Sequence, residues 1–237
     1  GPTHMAVVLD KSSQSFRNRI YDQYKAHRPD PPEDLRPQFP MIRDATRAFS
    51  LPLVEEDDVE ADDMIASYAR AASAAGWHVT IVSSDKDLMQ LVDERTLWWD
   101  AKESERGRTG VIEKFGVPPE LLIDFLGLSG DTSDNIPGIN GVGPKTAAKW
   151  LAEWGSLEGI IAHAAELKPE RFREAVAAEA EKLRRNLKLT TLNLALPTVA
   201  AEKTAPQVGE LLRLLETYEM RSTLAEARAR YQQAELF

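Results

Sequence analysis

The chain of 237 residues has no cysteine. That absence excludes disulfides, thiolate nucleophiles, iron–sulfur clusters and cysteine-bound zinc together, and it suits a reducing, cytoplasmic location. Long apolar runs are missing too, since none approaches the ~20 residues of a membrane-spanning helix. Histidine is scarce: His4, His27, His78 and His163 are dispersed, with no spacing that suggests a base or a ligand pair. No internal repeat or low-complexity linker appears. What remains, 43% hydrophobic and 28% charged residues, is a globular composition with enough length for a buried core.

Positive charge is also in deficit, with a net charge of −9. Phosphate binding is mostly done by Lys and Arg, so the total argues at first against a nucleic-acid partner. The distribution argues otherwise. Residues 53–63 (LVEEDDVEADD) hold seven acidic residues and no basic one, whereas residues 11–47 hold eight Lys or Arg against five Asp or Glu.

The periodicity predicts an α/β protein. His4 to Leu9 reads as a strand buried on both faces, with Asp10 at its carboxyl end, where open α/β sheets place ligands. Residues 14–28 read as a helix stopped by Pro29, Pro31 and Pro32, with Tyr21, Tyr24, Lys25 and Arg28 on one face. A second helical stretch covers 35–49. Val59 to Ala75 reads as an amphipathic helix with acidic residues in its first turn, ended by Gly76. Residues 77–83 and 96–99 read as strands with the loop SSDKDLMQLV between them. From about 111 the pattern is almost wholly helical, interrupted by GDTSDNIPGINGVGPKT. A soft boundary near 110 therefore separates an α/β core (1–110) from a helical subdomain (111–237). The tryptophans Trp77, Trp98, Trp99, Trp150 and Trp154 are expected as core or helix-packing residues and not as base platforms, and the charges of 168–188 on a solvated helix face.

Eight carboxylates fall at the ends of predicted elements: Asp10, Glu60, Asp62, Asp63, Asp85, Asp87, Asp131 and Asp134. Gathering them is unfavourable without cations, because two like charges ~4 Å apart repel by ~4 kcal/mol at an effective dielectric of 20. Divalent metal removes that penalty. Oxygen-only ligation suits Mg²⁺ or Mn²⁺ better than Zn²⁺. Each motif alone has a plain alternative: VEADD as a solvated helix start, SDKD as a polar turn, GDTSDN as an N-cap. The glycine-rich loop invites a nucleotide-binding reading, but from Gly138 the second glycine falls at Gly143 and Pro144 takes the lysine place of a phosphate loop.

The segments PTHMAVVLD, SFRNRIYDQYKAHRPDPPEDLRPQ, VEADDMIA, SSDKDLMQLV and EKFGVPPELLIDFLGLSGDTSDNIPGINGVGPKTAAKWL occur in this order. In them the chain resembles the 5′-nuclease domain of the bacterial DNA polymerase I family, within the wider flap endonuclease and 5′→3′ exonuclease group. The resemblance runs nearly end to end and is weaker after residue 155. It implies a PIN-like parallel-sheet core, a helical arch at about 14–49 and a helix-hairpin-helix element in the second half.

It also implies chemistry. Asp10, Glu60 and Asp62 look like the ligands of one divalent ion and Asp87, Asp131 and Asp134 those of another, with Asp63 and Asp85 beside them. Two such ions ~3.5 to 4 Å apart hydrolyse a phosphodiester without a protein nucleophile. Lys25 and Arg28 would neutralise the scissile phosphate, Arg17 and Arg19 would guide the backbone, Tyr21 or Tyr24 would stack on a base, and Lys86 would meet phosphate. Gly141, Gly143, Lys145, Thr146 and Lys149 match the hairpin that holds a DNA phosphate, where the family often binds K⁺ through main-chain carbonyls. The implied partner is DNA with 5′ flaps, nicks, branches or RNA primers. The implied setting is the bacterial nucleoid, with the chain monomeric or part of a longer polymerase polypeptide. The family's first strand, with its DGS-like motif, does not precede Pro2. A truncated parent, a segment from another chain and a shortened homologue are the open explanations, and its loss would remove a ligand and expose strand edges. A metal-dependent 5′ nuclease and a non-catalytic junction-binding module are the readings carried forward.

Overall fold

The computed structural model describes residues 1–102 and 106–232. In chain order the elements are β1 (Val7–Val8), α1 (Phe16–Ile20), α2 (Gln38–Ala48), β2 (Leu53–Val54), α3 (Ala61–Ala74), β3 (Val79–Val82), β4 (Thr96–Trp99) and α4 (Arg108–Phe115). They continue with α5 (Leu122–Ser129), β5 (Gly130–Asp131), β6 (Ile136–Pro137), α6 (Pro144–Trp154), α7 (Leu157–Ala162), α8 (Arg173–Ala178), α9 (Ala180–Thr190), α10 (Val208–Thr217) and α11 (Arg221–Ala227). Among the described residues no helix is long and apolar enough to cross a membrane.

Two units form. The first takes residues 1–11, 29–56 and 199 onward. In it β1 pairs in parallel with β2, Val7 opposite Leu53 and Val8 opposite Val54, while α2, α10 and α11 bury Ala48, Leu211, Leu215 and Ala227 together. The predicted strand from His4 to Leu9 is shorter and less buried than expected: only Val7 and Val8 pair, both half-buried, and Met5 is exposed. His4 instead makes an isolated antiparallel bridge with Glu202.

The second unit takes residues 12–28 and 57–198. Its core is continuous from α3 through β3 and β4 to α9, so residues on both sides of position 110 share it. β3 and β4 run parallel in the register Val79–Thr96 to Val82–Trp99. α3 starts with Asp62 and Asp63 against the positive end of its dipole and stops where Gly76 takes a left-handed φ of 85°. Trp150 of α6 is fully buried, donates from Nε1 to Lys168 O at 2.9 Å and meets Phe172 edge-on at 5.5 Å. Trp98 is equally enclosed, but Trp77 is exposed, against expectation.

Two further expectations change. The helix expected over 14–28 is only α1. Ser15 and Asn18 close a capping box at its start, and residues 22–27 are turns. Tertiary bonds outweigh helix propensity there: Lys25 N–H donates to Asp134 O at 3.0 Å, Asn135 Nδ2 to Gln23 O at 2.7 Å and Asn18 Nδ2 to Tyr24 O at 3.2 Å. Lys25 itself sits at φ 54°, a conformation no helix contains. The segment expected as a loop after β3 is a 3₁₀-helix over Lys86–Leu91, capped by the Asp85 carboxylate.

Candidate metal centre and nucleic-acid interface

The turn of residues 21–28 lies against the loop between β5 and β6, and the two bring carboxylates and cations together. Lys25 Nζ donates to Glu60 Oε2 at 2.6 Å and stands 3.7 Å from Asp134 Oδ2. Arg28 Nη2 donates to Asp134 Oδ1 at 2.7 Å. The Tyr24 hydroxyl stands 2.8 Å from Asp134 Oδ2 and 3.1 Å from Glu60 Oε2, and its one proton serves one carboxylate at a time. Ser15 Oγ donates to Glu60 Oε1 at 2.8 Å. Burial works against the charge on Glu60, but Lys25 and Arg17 more than reverse it and hold its carboxyl below the usual range. Burial likewise opposes the Lys25 ammonium, and Glu60 and Asp134 raise it above its ordinary value.

A second cluster surrounds Lys86, which donates to Asp131 Oδ2 at 2.6 Å and lies 3.3 Å from Asp87 Oδ1. Asp131 Oδ1 accepts from Ser133 N at 2.8 Å; burial disfavours its charge, and the bond from Lys86 holds it down nonetheless. Asp87 goes the other way. Burial pushes its carboxyl up to about 7, against the pull of Lys86 and with Asp131, Asp85 and Asp134 adding to the rise. Its Oδ1 is buried and accepts no hydrogen bond, since Lys86 approaches without the necessary geometry. Its Oδ1 therefore keeps lone pairs that no donor uses.

Among the described residues no three carboxylates or histidines are already gathered as a ligand set. The donor set nonetheless fits a hard divalent ion: it is oxygen-only, one buried carboxylate oxygen is orphaned, and a lysine ammonium stands between two carboxylates. Glu60 and Asp134 share one set of partners, and Asp85, Asp87 and Asp131 border Lys86. Asp62 is half-buried in the first turn of α3. Asp10, exposed at the end of β1, belongs to the first unit.

Three expected roles are not compatible with this geometry. Asp63 is fully buried and held by Arg17, with Nη1 at 2.5 Å and Nη2 at 2.9 Å, and by Asn193 N at 2.8 Å. It is a core anchor and not a ligand facing solvent. Arg17, 2% exposed, also donates to Leu189 O and Thr191 O, so it cannot guide a DNA backbone. Tyr24, 3% exposed and packed with Ile136 and Leu189, has no face open to a base. Tyr21 is half-buried beside that cluster and carries the Arg185 guanidinium 4.1 Å over its ring. Arg19 is exposed and paired with Asp58 at 2.6 Å.

The glycine loop between α5 and α6 is set by close backbone approach. A Cβ on Gly138 would lie 2.2 Å from the Ser129 carbonyl carbon, and Gly130, at φ 79°, faces it as closely. Asn186 of α9 donates to Pro137 O at 2.8 Å and Gly127 O at 3.1 Å, and Lys182 to Gly138 O at 3.0 Å, which fixes the hairpin. Gly141 turns the chain at φ 78°; Gly143 caps α6 and Pro144 takes its first position. Lys145 and Lys149, one turn apart, are exposed on α6, and Thr146 is half-buried. Sequence reading missed Ser15, Asn135, Asn186 and Arg185. Only Ser15 carried a local signal, the Ser-x-x-Asn cap.

A family model described as the 5′-3′ exonuclease N-terminal resolvase-like domain matches residues 1–116, and one described as the 5′-3′ exonuclease C-terminal SAM fold matches 117–210. The chain is 46% identical over 234 residues to a DNA polymerase I of Rhizobium leguminosarum, covering 95% of this chain and 23% of that protein. It is 38% identical over 239 residues to a 5′-3′ exonuclease of Aquifex aeolicus, covering 98% and 81%. The chain thus spans about a quarter of the length of the DNA polymerase I relatives it matches, 23% and 27% for two of them. The fold is that of the T5 5′-exonuclease solved with bound divalent zinc (TM-score 0.68, 24% identity, 92% and 82% of the two chains). It is shared by the catalytic core of Rad2 in complex with DNA substrate (TM-score 0.60, 12% identity, 90% and 74%).

Proposed function

The chain belongs to the 5′-3′ exonuclease family, and we propose that it is a metal-dependent 5′→3′ exonuclease and flap endonuclease that hydrolyses DNA phosphodiesters near 5′ ends. The observation that carries this reading is the half-buried carboxylate Asp87, with its enclosed Oδ1 lacking a donor, set among Asp85, Asp131 and Asp134, in a group bordered by Lys25, Arg28 and Lys86. In this reading residues 1–110 supply the nuclease core and 111–237 the DNA-binding helices, in the cytoplasm of a bacterium. Flaps, nicks and RNA-primed duplexes are the substrate class.

Asp85, Asp87, Asp131 and Asp134 would hold one divalent ion and Glu60 and Asp62 another. Mg²⁺ or Mn²⁺ suits the donors, and K⁺ suits the hairpin carbonyls. When bound, such ions supply a hydroxide at neutral pH and stabilise the leaving oxygen. The chain's own residues do the positioning. Lys25 and Arg28, now spent on Glu60 and Asp134, would turn to a phosphate placed there. Ser15 and the Tyr24 hydroxyl hold Glu60 and Asp134 in place. Lys145, Lys149 and the backbone N–H groups after Gly143 would grip a phosphate of the duplex without reading sequence.

The test uses a labelled 5′-flap DNA with Mg²⁺, with Mn²⁺ and with EDTA. Cleavage near the 5′ end that needs the metal and is lost in Asp87→Asn, with DNA binding retained, is the expected result. Flap binding without cleavage under every condition would leave a junction-binding module in place of the enzyme.

A further inference from the structure

Beside the two clusters lies a set of cations that neither of them uses. α9 carries Lys182, Arg184, Arg185 and Lys188. Arg184 is occupied by Glu158 and Glu181, and Lys182 by Glu179 and by Gly138 O. Arg185 and Lys188, one helical turn apart, have no carboxylate within ion-pair distance among the described residues. Arg185 is the unusual one. Its guanidinium is laid over the Tyr21 ring at 4.1 Å, the residue is half-exposed, and its Nε is enclosed with no hydrogen-bond acceptor. A stacked guanidinium loses little freedom on binding an anion, and this one has donors to spare. Its charge is felt nearby: burial and Arg185 together hold the Lys182 ammonium below its usual value.

Position indicates which anion. α9 grips the hairpin through Asn186 and Lys182, and Tyr21 begins the turn that carries Lys25 and Arg28 to the carboxylates. Arg185 is therefore carried by the helix that fixes the hairpin and rests on the turn that reaches the candidate catalytic cluster, all within one unit. The geometry points to Arg185, seated on Tyr21 and flanked by Lys188, as a further contact for the sugar-phosphate backbone of DNA, between the hairpin and the site of cleavage. Tyr21 then acts as a platform for a cation and not for a base. A phosphodiester suits the site better than an acidic peptide because, on the nuclease reading, the neighbouring groups on both sides meet phosphate too. This inference rests on the nuclease reading.

The experiment measures binding of fluorescein-labelled 5′-flap DNA by anisotropy in EDTA, between 50 and 200 mM KCl, for the wild type, Arg185→Gln, Arg185→Lys and Lys149→Gln. Loss of one phosphate contact lowers the slope of log affinity against log salt by about 0.9 and weakens binding by roughly 5- to 10-fold at 100 mM salt. Arg185→Gln is expected to show both effects, and Arg185→Lys to fall between it and the wild type, because the charge remains without the stacked plane. Should Arg185→Gln lose its circular dichroism signal, Lys188→Gln, exposed on the same helix, carries the same slope criterion. Unchanged slope and affinity in the folded Arg185 variant, while Lys149→Gln lowers both, would overturn the inference and leave the nuclease reading standing. A wild type that binds no flap DNA would instead overturn the nuclease reading itself.

Discussion

Asp62 and Asp63 are neighbours in one acidic motif, and the structure assigns them opposite fates, which Asp63→Ala tests. The Asp63 carboxylate accepts three hydrogen bonds: Arg17 Nη1 at 2.5 Å, Arg17 Nη2 at 2.9 Å and Asn193 N at 2.8 Å. Its side chain is fully buried, and that of Arg17 nearly so. Truncation leaves a buried guanidinium with the carbonyls of Leu189 and Thr191 and a Glu60 oxygen 3.9 Å away, and strands the Asn193 amide. Removing one partner of a buried, hydrogen-bonded ion pair costs about 3 to 5 kcal/mol. In a unit of this size that lowers the melting temperature by roughly 6 to 20 °C. Differential scanning fluorimetry in EDTA reads the shift without metal binding. Asp87→Asn is the contrast: it removes a half-buried charge, disfavoured by burial, whose enclosed Oδ1 has no donor, so it should not lower the melting temperature. An Asp63→Ala variant that melts like the wild type but no longer cleaves would show that Asp63 is a ligand and that the Arg17 pairing is dispensable.

The same pair explains how far sequence alone could reach. The acidic motif, the SDKD turn and GDTSDN were visible as carboxylates at element ends, and α3, β3, β4 and the glycine loop fall where periodicity and glycine placement put them. Spacing along a helix could not separate Asp62 from Asp63, because the difference lies in Arg17 and Asn193, 46 and 130 positions away in the chain. The failure over 21–28 has the same origin. Its tyrosines and cations suit a helix face, and local propensity offers no hint that Asp134 O and Asn135 will take up the backbone. Long-range partners decided which charged residues face solvent. Arg17 was expected at DNA and lies in the core; Arg185 was passed over as a solvated helix charge and lies beside the site.

The pH dependence of stability has one clear contributor away from the candidate site. Asp93 Oδ1 accepts from Arg95 N at 2.8 Å and Thr96 N at 2.7 Å, and although what burial it has opposes its charge, these bonds hold its carboxyl below the ordinary range. A depressed carboxyl stabilises the fold above its unfolded value near ~4 and loses that contribution as pH falls through the folded one. Urea unfolding should therefore find Asp93→Ala less stable than the wild type at pH 5, with the gap closing toward pH 2.5; a constant gap would refute the assignment. Gly138→Ala places a methyl 2.2 Å from the Ser129 carbonyl carbon, so the backbone must part, at a cost of at least about 2 to 3 kcal/mol in thermal or urea unfolding. Gly143→Ala separates folding from binding at the hairpin. Gly143 sits at φ −94°, open to any residue, and nothing lies within 4 Å of an added Cβ. Alanine there should leave stability unchanged or raise it by about 0.4 to 1 kcal/mol through the unfolded chain. If a DNA phosphate rests on the backbone at the start of α6, the same methyl occupies the approach, and affinity for flap DNA falls while the fold does not. Equal affinity for the wild type and Gly143→Ala would mean that no phosphate comes that close, and the glycine would then serve only to start the helix.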